Sequence, residues 1–321
     1  MSTFLTLDQN EIATHIPHRF ENMMLDSIDI DRSQFLGHPH LHITENDRLH
    51  RQLFFQTLAS GERVLMSAIS MEIVALASIV STGQLPPGHL AFFAMISNFS
   101  RTGHARLGDV ISGEVLKVRD RGGFLAYKGN LKSNNTPICT GDVMAFYADV
   151  SQGMPAGEKK EAEIPTLTQN TPIDKNSWHK APAMVFCDAI RHLADDFSQI
   201  VTEYSFPADH PTAQGHFPGN PVMMGVFQWT SVEDAFSVVA KHLRKAGKSG
   251  RFVAHGSANL VSAEGHMVAE CKEIAVELVI GSGAQPDYAD ILETRRFAFK
   301  NIVYPNNRFY TILDIASIDA Q

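Results

Sequence analysis

Cysteine is scarce in this 321-residue chain: Cys139, Cys187 and Cys271 stand singly, with no CxxC pair. An odd, scattered set does not suit a disulfide framework and points to a reducing compartment, so a cytoplasmic location is expected. Positive charge is in deficit. Lys and Arg total 27 against 35 Asp and Glu, a formal net charge of −8. The basic excess of a nucleic-acid-binding protein is therefore missing. Charged residues amount to 19%, too few for a disordered, highly charged chain. GxGxxG and GxxxxGK[ST] strings are absent, so no nucleotide or other cofactor is expected. Long apolar runs are few. The longest, residues 64–80 (VLMSAISMEIVALASIV), carries Glu72 and three serines and lies at the short limit for a membrane span. It reads as a buried core helix, and no membrane partner is expected. The N-terminal stretch has no basic start followed by an apolar run, so no signal peptide is expected.

Apolar residues make up 44% of the chain, an ordinary globular share, and the length suits two domains. The halves repeat. One register lays Thr44-Glu45 on Thr202-Glu203, Gln56 on Gln214, Gly61 on Gly219, Val64 on Val222 and Met66 on Met224. Further upstream, His18-Arg19 resembles His179-Lys180. Each half reads as an HR or HK dipeptide leading to an apolar strand, a mixed strand and turn, one long apolar helix (64–80; roughly 222–243), then strands rich in Val, Ile, Phe and Tyr. The polar, Pro- and Gly-containing segment 151–172 reads as a linker between a first domain, 1–150, and a second, 173–321.

A helix that is apolar on most sides needs cover on most sides. An antiparallel sheet curled around it supplies that cover in an α+β arrangement. Two such units sharing a sheet edge would each lose an exposed edge strand. The expectation is two antiparallel sheets, each wrapped around a long central helix, joined as a pseudo-dimer.

The most specific string is Gly215-His216-Phe217-Pro218-Gly219-Asn220-Pro221, followed by VMMGV at 222–226. It resembles the GHFPG-x-P-x-x-PGV motif of the bacterial 3-hydroxyacyl-[acyl-carrier-protein] dehydratases, which have the hotdog fold. Pro17-His18-Arg19-Phe20 with Asp26 is similar to the PHRY/F…D start of that family. The resemblance runs over nearly the whole chain, once per half, and makes it a double hotdog. It implies a site with a His in the GHFPG turn and a carboxylate fourteen residues later on the central helix, the two drawn from opposite units of a pair. Fourteen past His216 is Thr230, not an acid; the His position of the first half is Leu58, and fourteen past it is Glu72. Each half is defective, and the defects are complementary. The resemblance would thus put His216 and Glu72 in one site and leave a mirror site of Leu58 and Thr230 without chemistry. It also implies that the N–H of Gly225, whose repeat partner is Ser67, faces a thioester oxygen. His18 and Arg19 read as structural, and Glu233 and Asp234 as the polar side of the second helix, or as replacements for the acid missing at Thr230 if the helix were shifted.

These residue types suit water removal from a β-hydroxyacyl thioester. A neutral imidazole can take the α-proton. A carboxyl in an apolar helix stays protonated and can donate to the departing hydroxyl. Helix N-terminal N–H groups stabilise charge developing on the thioester oxygen. The function implied is dehydration of (3R)-hydroxyacyl thioesters to trans-2-enoyl thioesters, with thioester hydrolysis or non-catalytic acyl-thioester binding as the alternatives. The partner would be an acyl carrier protein or coenzyme A thioester, and the double unit could form a homodimer. The run Lys241, Arg244, Lys245, Lys248 and Arg251 is a candidate docking patch for an acidic carrier, as are Arg295 and Arg296. At a helix C-terminus such a run also simply complements the dipole. His38, His40 and His42 alternate along a strand, where an exposed face is the expectation and a metal site is not.

Overall fold

The structure is a computed structural model, and it describes residues 4–321 apart from 152, 156, 158 and 159. In the first half, β1 (Leu5–Asp8), a short α1 (Gln9–Ile12), β2 (Ser27–Asp31) and β3 (Leu36–His42) lead to a small hairpin, β4 (Phe55–Thr57) and β5 (Arg63–Leu65). The long helix α2 (Ser67–Thr82) follows, then β6 (His89–Arg101), β7 (Val110–Arg121), β8 (Phe124–Ser133) and β9 (Thr136–Asp149). The second half holds β10 (Thr171–Pro172), β11 (Ala189–Leu193), β12 (Gln199–Ser205), α3 (Gly225–Lys245), β13 (Gly250–Ser262), β14 (Met267–Ile280), β15 (Tyr288–Phe299) and β16 (Arg308–Ala320).

The two expected sheets are one. Among the described residues, fourteen strands form a continuous antiparallel sheet in the order β1-β2-β3-β7-β8-β9-β6-β15-β14-β13-β16-β12-β11-β10. The halves meet where β6 pairs with β15, Ile96 opposite Phe297 and Phe99 opposite Thr294. Pairing the two inner edges satisfies N–H and C=O rows that each half alone would leave open. Helix α2 begins at Ser67, three residues inside the apolar run, because Val64 and Leu65 belong to β5. From Ser67 to Ser81 only Ala75 is not buried. Such a helix is stable because its whole circumference is covered.

Helix α3 is buried despite a more polar sequence, and several of its polar side chains find partners within the helix or across the fold. Thr230 Oγ1 donates to the Val226 carbonyl at 2.9 Å, and Ser237 Oγ accepts from the Ala289 N–H at 2.9 Å. Glu233 and Asp234 are not on an exposed polar side; both are buried. Asp234 pairs with the buried Lys180 at 2.5 Å and accepts from the Phe186 N–H.

Beyond the helices the halves differ in chain order. Outward from the junction the first half runs β6, β9, β8, β7, and the second runs β15, β14, β13, β16. The second half therefore builds its outer hairpin before its junction strand, a cyclic permutation of the first. The hydrogen bonds fix the equivalence. Thr102 and Gly103 both donate to Ile138, as Lys300 and Asn301 both donate to Val268; Leu65 donates to Ala105 as Met223 does to Val303. Gly61 and Gly219, paired in the repeat, both have positive φ, +85° and +81°, a conformation glycine adopts at no steric cost.

The connector between the halves is less passive than its composition suggests. Ala162, Ile164 and Leu167 pack on Val201, Val261, Tyr310 and Ile312. Its last two residues form β10, which pairs with β11. The described residues contain no helix long and apolar enough to cross a membrane. All three cysteines are buried and free.

Candidate active site

The turn carrying His216 is assembled against the other half of the chain. The Arg19 N–H donates to the Gly215 carbonyl at 3.1 Å, and Asn22 Nδ2 donates to the Thr212 carbonyl at 2.9 Å. A Cβ on Gly215 would stand 2.3 Å from the Arg19 carbonyl oxygen, so only glycine permits this approach. The PHRF segment of the first half and the GHFPG turn of the second are thus two sides of one joint.

His216 is held at both ends. The Val222 N–H donates to its carbonyl at 2.8 Å, and its Nδ1 lies 3.1 Å from the Val222 carbonyl oxygen. A carbonyl only accepts, so Nδ1 carries the proton and Nε2 presents a lone pair. Burial lowers the pKa of this imidazole to about 4, against the raising effect of the Val222 bond. It is therefore neutral near pH 7. Glu72 projects from α2 into the same cavity, together with Ala75, Leu76 and Ile79 of one helix face. Burial raises its carboxyl to about 7. Glu72 and His216 are 5% and 8% exposed, so both keep a small opening to the cavity they share.

That cavity has a volume of about 380 Å³ and a largely apolar wall. Phe92 stacks on Phe146 and Phe93 on Phe299, with ring centres 5.3 and 5.1 Å apart. Gly225 opens α3 at its edge, where the first N–H groups of a helix lack intrahelical partners. A Cβ there would come within 3.3 Å of the Phe299 ring. Pro155 and Gly157 of the connector also line the cavity.

Two further residues belong to the site. His18, structural by its sequence, instead lines the cavity beside both the acid and the imidazole. Its Nε2 is 3.7 Å from Glu72 Oε1, and its ring centre is 4.9 Å from that of His216. Gln228, one turn after Gly225, donates to the Asn301 carbonyl at 3.3 Å and leaves a buried Oε1 without a hydrogen-bond partner among the described residues. The PHRF match marked His18 in the sequence, but nothing there showed that its ring turns inward. Gln228 carried no signal beyond its place one helical turn past Gly225.

The mirror position is built differently. Thr230 stands where Glu72 stands, and its hydroxyl is spent on the helix. Leu58 lies in the turn matching that of His216. By the strand equivalence, Asp290, Arg101 and His104 take the places of Phe92, Phe299 and Ile302. Asp290 accepts from Ser67 Oγ at 2.6 Å, lies 2.6 Å from His104 Nε2, and is 3.4 Å from Arg101. Burial opposes its ionisation, but Arg101 and these hydrogen bonds outweigh it and lower its pKa. An ion-pair network thus occupies the ground that aromatic rings line in the other half.

The basic run at the end of α3 does not border the His216 cavity. Lys241, over the Trp178 ring at 4.6 Å, and Arg244, bonded to Asp287, line a separate polar groove with His179. Lys245 and Lys248 are exposed, and Arg251 pairs with Glu277 at 3.0 Å. Among the described residues, the Lys and Arg side chains that do border the cavity are those of Arg296 and Lys300. Arg295 pairs with Glu273 instead. His40 lies 3.1 Å from Asp29, and no group of three His, Cys, Asp or Glu side chains among the described residues could hold a metal ion.

Continuous antiparallel sheet, two buried helices and a shared acid–imidazole cavity together describe a hotdog-type arrangement. The sequence resembles the 3-hydroxyacyl-[acyl-carrier-protein] dehydratases. It is 26% identical to FabZ of Shewanella oneidensis over 153 residues, which is 46% of this chain and 96% of that one. It is 27% identical to FabZ of Pectobacterium atrosepticum over 144 residues, 43% of this chain and 91% of that one. Among solved structures, the erythromycin dehydratase aligns over 96% of this chain and 97% of its own, with 11% identity and a TM-score of 0.46. The dehydratase domain from the CurK module of curacin polyketide synthase covers 83% of this chain and 93% of its own, with 8% identity and a TM-score of 0.43. No family model matches the chain.

Proposed function

We propose that this chain is a double-hotdog hydro-lyase that dehydrates (3R)-hydroxyacyl thioesters to trans-2-enoyl thioesters, with one composite active site. The observation that carries this reading is the pairing, in one apolar cavity, of a buried neutral imidazole from one half with a buried carboxyl from the other whose pKa burial raises to about 7. His216 Nε2 takes the α-proton. The electron pair released forms the Cα=Cβ bond as the Cβ–O bond breaks. Glu72 gives its proton to the departing oxygen, and water leaves. Negative charge gathering on the thioester oxygen faces the Gly225 N–H and the positive end of α3. The aromatic walls receive the acyl chain.

The substrate class follows the named relatives: an acyl-carrier-protein or coenzyme A thioester in fatty-acid- or polyketide-type biosynthesis. Arg296 and Lys300, at the cavity's border, suit the anionic end of such a carrier better than Lys241, Arg244, Lys245, Lys248 and Arg251. Three buried free thiols suit a reducing cytoplasm. The test is to supply a 3-hydroxyacyl thioester and follow two products. Dehydration gives the ultraviolet absorbance of a conjugated enoyl thioester with no free thiol. Thiol release without that absorbance would mean a thioesterase, and neither signal would mean a binding protein.

A further inference from the structure

Gln228 stands one turn into α3, and it lines the cavity together with Gly225. The orientation of its amide is set from outside. The Asn301 carbonyl only accepts, so Nε2 donates to it at 3.3 Å and Oε1 is the atom left over. That oxygen is buried with no hydrogen-bond partner among the described residues, in a side chain only 3% exposed. A buried acceptor is costly to leave unpaired, so a ligand in this cavity should bring a donor to it. The repeat counterpart of Gln228 is Ser70, which is buried and hydrogen bonds to the Cys139 thiol. The mirror helix thus satisfies its polar group within its own half, and α3 leaves one open toward the cavity.

The surroundings select the donor. Asn301 follows Lys300, and with Arg296 these residues make a polar border to the cavity. The apolar lining runs along α2, where Ala75, Leu76 and Ile79 follow Glu72. Gln228 therefore belongs with the carrier end of a thioester, away from the acyl chain. Acyl-carrier-protein and coenzyme A thioesters share one arm beside the sulfur, –S–CH2–CH2–NH–CO–. Its amide nitrogen lies four bonds beyond the thioester carbonyl carbon, about 5 Å when extended. Gly225 and Gln228 are three residues apart, about 4.5 Å along the helix axis. Resting on the dehydration reading, in which the thioester oxygen faces the Gly225 N–H, we propose that Gln228 is a positioning residue whose Oε1 accepts the first amide N–H of the pantetheine arm. A thioester held at both points keeps its α- and β-carbons beside His216 and Glu72. The contact uses only the shared arm, so it serves either carrier alike.

The test uses two unreactive probes, the hexanoyl thioester of N-acetylcysteamine and its S-(2-acetoxyethyl) analogue, in which an ester oxygen replaces the N–H. Binding to the unaltered protein and to Gln228→Met is measured by calorimetry. The unaltered protein should bind the amide probe about 10-fold more tightly, the upper end of what one neutral hydrogen bond contributes. Gln228→Met should bind the two probes within about twofold of each other. No preference in the unaltered protein, a preference that survives in Gln228→Met, or no binding of the amide probe overturns the proposal. If Gln228→Met does not fold, a 15N-labelled amide probe on the unaltered protein decides. Its bound N–H should exchange with solvent more slowly than the free one, and exchange at the free rate overturns the contact. Absence of enoyl absorbance from a 3-hydroxyacyl thioester would sink the dehydration reading itself, a separate failure because neither probe can lose water.

Discussion

Raising the pH from about 6 to about 9 should switch this enzyme off through Glu72 alone. The buried carboxyl has its pKa raised to about 7, and the proposed mechanism uses its protonated form. Two units above that value only about one molecule in a hundred keeps the proton, so kcat/KM should be about 100-fold lower at pH 9 than on the plateau. The acid limb has the opposite origin. His216 acts as the free base, its pKa is lowered to about 4, and activity should fall only as the pH drops through that value. The profile is a bell with limbs near 4 and 7, read as the rate of enoyl thioester absorbance at saturating and at low substrate. Glu72→Gln supplies the control, because whatever rate remains should lose its alkaline limb. A rate that stays flat from pH 6 to 9, or an alkaline limb that survives in Glu72→Gln, refutes the assignment of the acid.

Gly225→Ala places a methyl against the stacked Phe93 and Phe299 rings and displaces the start of α3. Its kcat should drop about 10-fold, less than the 100-fold or more for losing an oxyanion donor outright, with KM little changed in steady-state assays. Leu58→Ala and Thr230→Val alter only the mirror position and should leave kcat within about twofold; a larger loss would give that position a role. Asp234→Asn strips the partner from a Lys180 ammonium that is fully buried. It should destabilise the fold by about 3–5 kcal/mol, measured as a lowered urea midpoint. An unchanged midpoint would contradict a stabilising role for this pair.

Much of this architecture can be read from the chain without coordinates. A glycine-flanked turn, a run apolar on all sides, and complementary losses at Leu58 and Thr230 point to two paired units and one site. The permuted strand order could not be read, because antiparallel strands of similar composition carry no label for their place in a sheet. Residues 250–262 look as fit for the junction as residues 288–299, and it is the pairing of Phe297 with Ile96 and of Thr294 with Phe99 that tells them apart. Glu233 and Asp234 misled for a related reason. Charge in a helix usually marks solvent, and Asp234 is buried against Lys180, some fifty residues away in sequence. The basic run after Lys241 sits where helix-dipole chemistry alone would put it. Which way the His18 imidazole faces could not be read either, because a repeat keeps the residue in both halves.

The most direct test of a single shared cavity is a kinetic comparison of Glu72→Gln, His216→Ala and the double variant. If the two groups act on one substrate, each single change should cost about a thousandfold in kcat, and the double variant should be no slower than the worse single one. Two independent sites would instead leave either single variant with about half the original rate, and that result would contradict the account.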